Sequence, residues 1–171
     1  EAIDDFGPDF DEEGLALDVC SAGELAVGLA AGVDPARIGY HGNNKSLAEI
    51  AHAVELGVGS IDIDSFTEID RVADAAAKAG KVQSVRLRVN TGVHAETHDF
   101  LATAHEDQKF GFALSQAEEA VARIRSHSSL QFGGLHCHIG SQIFGTAGFE
   151  ESAARLLDVH ARLLEGGPVP V

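Results

Sequence analysis

Gly134-Leu135-His136-Cys137-His138-Ile139-Gly140-Ser141-Gln142 is the stretch on which the reading of this chain turns. The apolar run over residues 131–139 predicts a strand, Gly140-Ser141 predicts a turn, and a helical pattern begins near Gly148. Residues two apart on a strand share a face, so His136 and His138 point one way and Cys137 the other. Two imidazoles at a strand exit, followed by the free backbone N–H groups of a Gly-Ser turn, suit an anionic group such as a phosphate. They also suit a flat ring lying against one imidazole. Two core histidines before an ordinary turn are the plainer alternative.

Outward from this stretch, strand and helix signals alternate. Residues 15–20 read as a short buried strand and 22–31 as a helix, with Ser21 and Glu24 in capping-box spacing. Residues 37–41 form a second strand, Gly42-Asn43-Asn44 a turn, and 46–56 a helix with Leu47, Ile50, Ala51 and Val54 as its apolar positions. A strand over 59–64 follows, then a helix over 66–79 with Ser65 as its cap and Glu68 three residues on, then a strongly β-branched strand over 82–90. Residues 91–112 make a long polar loop, a length uncommon unless functional or mobile, and one expected to fold over a site as a lid. Ser115 and Glu118 open a helix to about Ser126, the histidine strand comes next, and a helix over 149–164 follows.

Regular alternation of this kind predicts a parallel sheet covered by helices. The architecture is then either a doubly wound open sheet or part of a (β/α)8 TIM barrel. A complete barrel needs about 250 residues, so the 171 here accommodate about five βα units, over residues 14–171. The acidic, aperiodic residues 1–13 form a lead-in. No Gly-x-Gly-x-x-Gly follows a strand, which weakens a dinucleotide reading. Nearly every strand ends in a polar or ionisable residue: Asp18, His41, Asp62 and Asp64, Arg86 and Arg88, His136 and His138. A barrel gathers such ends around one mouth, whereas an open sheet offers mainly the crevice at its switch point. The barrel is therefore the expectation.

Composition narrows the function classes. A formal charge of -15 argues against a nucleic-acid surface, which needs clustered Lys and Arg. No apolar run approaches the ~20 residues of a membrane helix. Cys20 and Cys137 match no zinc or redox spacing, and two unlinked thiols suit a reducing cytoplasm.

Arg86 and Arg88 share a strand face, and an inward-facing charge must be paired. Asp62 and Asp64 on the preceding strand are the natural partners. A mouth holding both signs suits a zwitterionic or phosphorylated ligand. His136-x-His138 is also a metal-ligand spacing, which raises a metal-dependent barrel hydrolase as a further reading. Nucleophilic serine or cysteine chemistry finds no Gly-x-Ser-x-Gly elbow, and Cys137 faces away from its histidines.

Several motifs in register resemble one family. Residues 17–25 (LDVCSAGEL), 41–46 (HGNNKS), 63–65 (IDS), 109–111 (KFG) and 134–142 (GLHCHIGSQ) together resemble the diaminopimelate decarboxylases, in their actinobacterial branch. That family stands among the pyridoxal 5'-phosphate (PLP) decarboxylases built on an alanine-racemase-like barrel. The resemblance runs from about Glu13 to Leu164 and implies PLP-dependent removal of carbon dioxide from meso-diaminopimelate to give L-lysine, in a cytoplasmic homodimer acting on a small amino-acid substrate. It implies that His138 stacks on the pyridine ring, that Ser141 binds the cofactor phosphate, that Arg88 supports the site, and that Asp18 and Glu24 lie near the cofactor. The family's Schiff-base lysine, in a Tyr-Ala-x-Lys-Ala context before the Asp18 strand, has no counterpart here. The lysines are Lys45, Lys78, Lys81 and Lys109. The expectation is thus a piece of the barrel domain, inactive alone. Its rivals are an ornithine, arginine or carboxynorspermidine decarboxylase and a decarboxylase-like binding protein without catalysis.

Overall fold

The computed structural model describes residues 14–93, 110–140 and 145–165. Within them the elements run β1 (Leu17–Val19), α1 (Ala22–Ala30), β2 (Ile38–Tyr40), α2 (Leu47–Leu56), β3 (Ser60–Ile63), α3 (Phe66–Lys78), β4 (Gln83–Asn90), β5 (Phe112–Ala113), α4 (Ala117–Ser126), β6 (Leu130–His136) and α5 (Ala147–Glu165). All strand pairings are parallel, in the order β1-β2-β3-β4-β6, with β5 on the last two residues of β4. The spatial order thus follows the chain order without the reversal of a doubly wound sheet, as in one arc of a barrel.

Alternation along β4 sets the layers. Val85, Leu87 and Val89 are buried, while Ser84, Arg86, Arg88 and Asn90 face the opposite way and are only partly covered. The apolar side meets the helices. Tyr40, Ile61, Ile63 and Leu87 from the sheet join Leu25, Ile50, Val54, Ile69, Val72, Val121, Ile124 and Val159 in one cluster. Burial of each such side chain contributes roughly 1.5–3 kcal/mol. Among the described residues no helix is long and apolar enough to cross a membrane.

Three helix starts follow one chemical pattern. Ser21, Ser46 and Ser65 each cap a helix by accepting the N–H of the glutamate three residues on. Only Ser46 and Glu49 complete a reciprocal capping box. Glu24 and Glu68 reach one residue further back, to the N–H groups of Cys20 and Asp64 at 2.7 Å. Ser115 does not cap: it lies in a 3-10 turn, Leu114–Gln116, and α4 begins after Gln116 without a side-chain cap. The apolar positions of α2 also differ from expectation. Leu47 is exposed, and Ile50, Ala53 and Val54 carry the burial.

Two departures from simple alternation shape the histidine strand. The first is a bulge, because Val85 pairs with Phe132 but Arg86 pairs with Gly134. The extra residue, Gly133, packs where a Cβ would lie 2.6 Å from Ser84 Oγ. A bulge of this kind re-aims the side chains that follow it. Leu135 then pairs with Leu87 and His136 with Arg88, on the polar face. The second departure is that β6 ends at His136, three residues short of the expected Ile139. From Val89 onward the edge of β4 is taken by Phe112 and Ala113, so residues 137–140 leave the sheet.

Candidate active site

The polar ends of the parallel strands meet on the concave side of the sheet. Arg86 lies at the centre, its Nε donating to Asp62 Oδ1 at 2.6 Å and its Nη2 to Asp62 Oδ2 at 3.0 Å. The same Nη2 donates to Asp18 Oδ1 at 3.4 Å. In a flat sheet β1 and β4 stand three strand spacings apart, ~14 Å. The contact is made over β2, where Gly39 has no side chain to stand in its way. A Cβ there would lie 2.4 Å from Asp18 Oδ1 and 2.7 Å from Arg86 Nη2.

His136 adds a third element. Its Nε2 stands 3.6 Å from Asp62 Oδ2, and its Nδ1 is buried without a hydrogen-bond partner among the described residues. Burial, reinforced by the charges of Arg86 and Arg88, pushes the imidazole below its ordinary pKa against the opposing pull of Asp62 and Asp18. The ring is therefore neutral near pH 7.

Arg88 forms the parallel arrangement one step nearer the mouth. Its Nη1 lies 3.6 Å from Asp64 Oδ2, and both Asp64 carboxylate oxygens are buried without hydrogen bonds. Phe110 stacks over the Arg88 guanidinium at 5.4 Å. Gly111 makes that approach feasible, since it has φ +83° and a Cβ there would sit 2.8 Å from the Arg88 carbonyl oxygen. The expected pairings of Arg86 with Asp62 and Arg88 with Asp64 are thus both present.

Behind the mouth sits a buried lysine that the sequence reading passed over. Lys45 is 3% exposed. Its Nζ donates to Gly42 O at 2.5 Å and to Asp62 O at 2.7 Å, and lies 3.1 Å from Glu68 Oε1. Glu68 is held above its ordinary pKa by burial, against the pull of Lys45. The available signal was the recurrence of Ser-x-x-Glu at successive strand-to-helix junctions, which puts a carboxylate beside each strand end. Glu49 shows the same logic. It accepts the N–H groups of Ser46 and Ala22 and the Tyr40 hydroxyl, and the Ser46 hydrogen bonds foremost pull its pKa down to about 2.

Asp18 lies exposed at the mouth, in contact with Arg86. Glu24 lies beside it at the same junction, held below its usual range first by the Cys20 N–H. His138 is exposed beyond the end of β6. Cys137 faces the other way, with its Sγ 3.4 Å from Ser152 Oγ on α5, and Cys20 and Cys137 are free thiols. Ser141, Lys109 and most of the loop over 91–112 lie outside the described residues. Among the described residues no group of three His, Cys, Asp or Glu side chains is arranged to hold a metal ion.

This arrangement can bind a polar ligand at a mouth that offers an exposed imidazole, His138, beside the guanidinium groups of Arg86 and Arg88 and the exposed Asp18 carboxylate. Residues 10–168 match the family described as pyridoxal-dependent decarboxylase, pyridoxal binding domain. A diaminopimelate decarboxylase of Mycobacterium leprae (strain TN) is 56% identical over 149 residues, 86% of this chain and 32% of that protein. Diaminopimelate decarboxylase from Helicobacter pylori, crystallised as a mutant with L-lysine, aligns with TM-score 0.86 at 26% identity, over 96% of this chain and 42% of that one. The enzyme from M. jannaschii, also in complex with L-lysine, gives TM-score 0.85 at 27% identity, over 99% of this chain and 40% of that one. The chain spans about a third of the length of the curated relatives it matches.

Proposed function

Because the chain belongs to the pyridoxal-dependent decarboxylases, as their pyridoxal-binding domain, we propose that its protein decarboxylates meso-2,6-diaminopimelate to L-lysine with PLP. The single observation that carries this reading is the 56% identity to the Mycobacterium leprae diaminopimelate decarboxylase. The residues at the mouth fit such a cofactor. Among the described residues, His136 Nδ1 and the Asp64 carboxylate oxygens, the latter ion-paired with Arg88, are buried without a hydrogen bond, as expected where a polar group completes the site.

His138 is the imidazole for the ring, Ser141 the group for the phosphate, and Arg88 the cation that supports both, with Asp18 and Glu24 beside them. Bound PLP supplies an electron sink for the charge left when carbon dioxide departs. The chain's own residues bind and orient. Arg88 is kept in place by Asp64 and Phe110, and Asp18 by Arg86. Lys45 is not a candidate for covalent attachment, because its Nζ is buried against Glu68 and two carbonyl oxygens. The attachment lysine and the substrate-binding groups belong to the remainder of the protein, which works in the cytoplasm as a homodimer.

The test is direct. Protein produced from the full reading frame is titrated with PLP by absorbance, then assayed for carbon dioxide release from meso-diaminopimelate, ornithine, arginine and lysine. Release from diaminopimelate with little from the others is the expected result. Preference for another amino acid overturns the substrate, and no PLP uptake overturns the reading altogether.

A further inference from the structure

Arg86 and Asp62 require an explanation that packing does not supply. A buried ion pair adds little net stability, because desolvation offsets the Coulomb attraction. Asp62 is fully buried, yet Arg86 keeps about a third of its side chain exposed and turns its remaining contact toward Asp18, which is more exposed still. The guanidinium therefore points from a buried anchor toward a carboxylate at the mouth. β2, one of the two strands between them, carries glycine where a side chain would meet both. Gly39 lies within β2, in ordinary strand conformation, so no turn or left-handed backbone calls for glycine there. What its absent side chain provides is the passage through which Arg86 reaches Asp18.

We infer that Arg86 is a positioning residue, anchored on Asp62, which reaches across Gly39 to fix the Asp18 carboxylate for the cofactor. The inference rests on the proposed PLP site but concerns Arg86 and Gly39, which have no assigned part in it. It makes Arg86 act through Asp18, and it makes Gly39 a functional glycine whose replacement is harmless to the fold. Both atoms that an alanine Cβ would meet are ends of side chains. They can move aside, and in moving they lose each other.

Five variants of the full-length protein test this: Gly39→Ala, Arg86→Gln, Asp18→Asn, and each of the first two combined with Asp18→Asn. Gly39→Ala is expected to leave the melting temperature unchanged yet weaken PLP binding roughly tenfold, the scale of a lost charge-assisted contact. Arg86→Gln is expected to weaken it similarly. In the Asp18→Asn background neither is expected to weaken binding further, since residues acting through one group are non-additive. Wild-type PLP affinity in Gly39→Ala, or additive losses in the double variants, would overturn the inference.

A second readout needs no cofactor. The charged groups facing His136 are Asp62 on β3, Arg86 and Arg88 on β4, and Asp18 on β1. In cofactor-free protein followed by NMR of labelled histidine, Arg86→Gln is expected to raise the His136 pKa by removing a neighbouring cation. Gly39→Ala, which crowds Arg86 Nη2 but keeps the cation beside His136 through its Nε bond to Asp62, is expected not to. An unmoved His136 titration in Arg86→Gln overturns the geometry, whatever the wild-type protein does with PLP.

Discussion

Lys45 Nζ stands 3.1 Å from Glu68 Oε1, and the two side chains keep only 1% and 6% of their surface in contact with solvent. The pair joins the loop after β2 to the end of β3, because Lys45 also holds the Asp62 carbonyl and Glu68 the Asp64 N–H. Removing one partner of a buried pair leaves the other charge without compensation, at a cost of about 3–5 kcal/mol. Lys45→Met is expected to destabilise the full-length protein on that scale in urea denaturation. Adding Glu68→Gln, which keeps an acceptor for Asp64 while removing the charge, is expected to recover most of the loss. A double variant as unstable as the single one would show that the charge pair is not the cause.

His136 imposes a pH dependence whose sign follows from its surroundings. Its folded pKa lies below the unfolded value of 6.5. Between the two values the unfolded chain binds more protons, so stability falls as pH drops below about 6.5 toward the folded value. The contribution is fully present above 6.5. His136→Gln is expected to flatten that part of the profile, as read from urea midpoints between pH 7.5 and 5. Parallel profiles for the two proteins in this window would show that His136 does not titrate as its burial dictates.

Glu49 acts in a more acid window. Its folded pKa of about 2 lies below the ordinary 4.5, so its stabilisation is present above 4.5 and is lost as pH falls toward 2. Glu49 keeps part of its surface in solvent, and salt weakens the effect. Glu49→Gln is expected to shift the acid-unfolding midpoint upward at low salt, with the difference shrinking in high salt. Equal acid midpoints for the two proteins would remove Glu49 from the account.

The bulge at Gly133 is testable through its neighbour. A methyl group there meets Ser84 Oγ at 2.6 Å, and overpacking of this kind costs roughly 1–3 kcal/mol. Gly133→Ala is expected to lower the thermal midpoint, and Ser84→Gly in the same protein to restore much of it. Simple additivity of the two substitutions would show that they do not share that space.

Much of the fold was legible because its signals are local. Ser21, Ser46 and Ser65 announce helix starts through side-chain geometry that needs only three following residues. The partnership of Arg86 with Asp62 and of Arg88 with Asp64 was legible because period-two facing on adjacent strands leaves few alternatives. The features that escaped are tertiary. Lysine is seldom buried, and Lys45 is covered only because the end of β3 brings the Asp62 carbonyl and the first turn of α3 brings Glu68 to it. Phe112 and Ala113 look like the end of a loop, since two residues carry no period. The Gly133-Gly134 bulge is invisible to alternation because it breaks it. Of the expected cofactor residues, Arg88, Asp18, Glu24 and His138 come out at one end of the sheet, although His138 stands past the strand rather than on it.

β4 divides its edge between two neighbours, β6 as far as Arg88 and β5 from Val89 onward. The strand that arrives later in the chain therefore meets an edge already taken and must depart two positions early. Residues 137–140, His138 among them, therefore follow β6 without pairing to β4. A backbone N–H or carbonyl relieved of its lattice duty must find another partner, whether water, a side chain or a bound molecule. The two-residue strand thus converts hydrogen-bonding capacity from architecture to recognition, at the end of the sheet where the charged side chains converge.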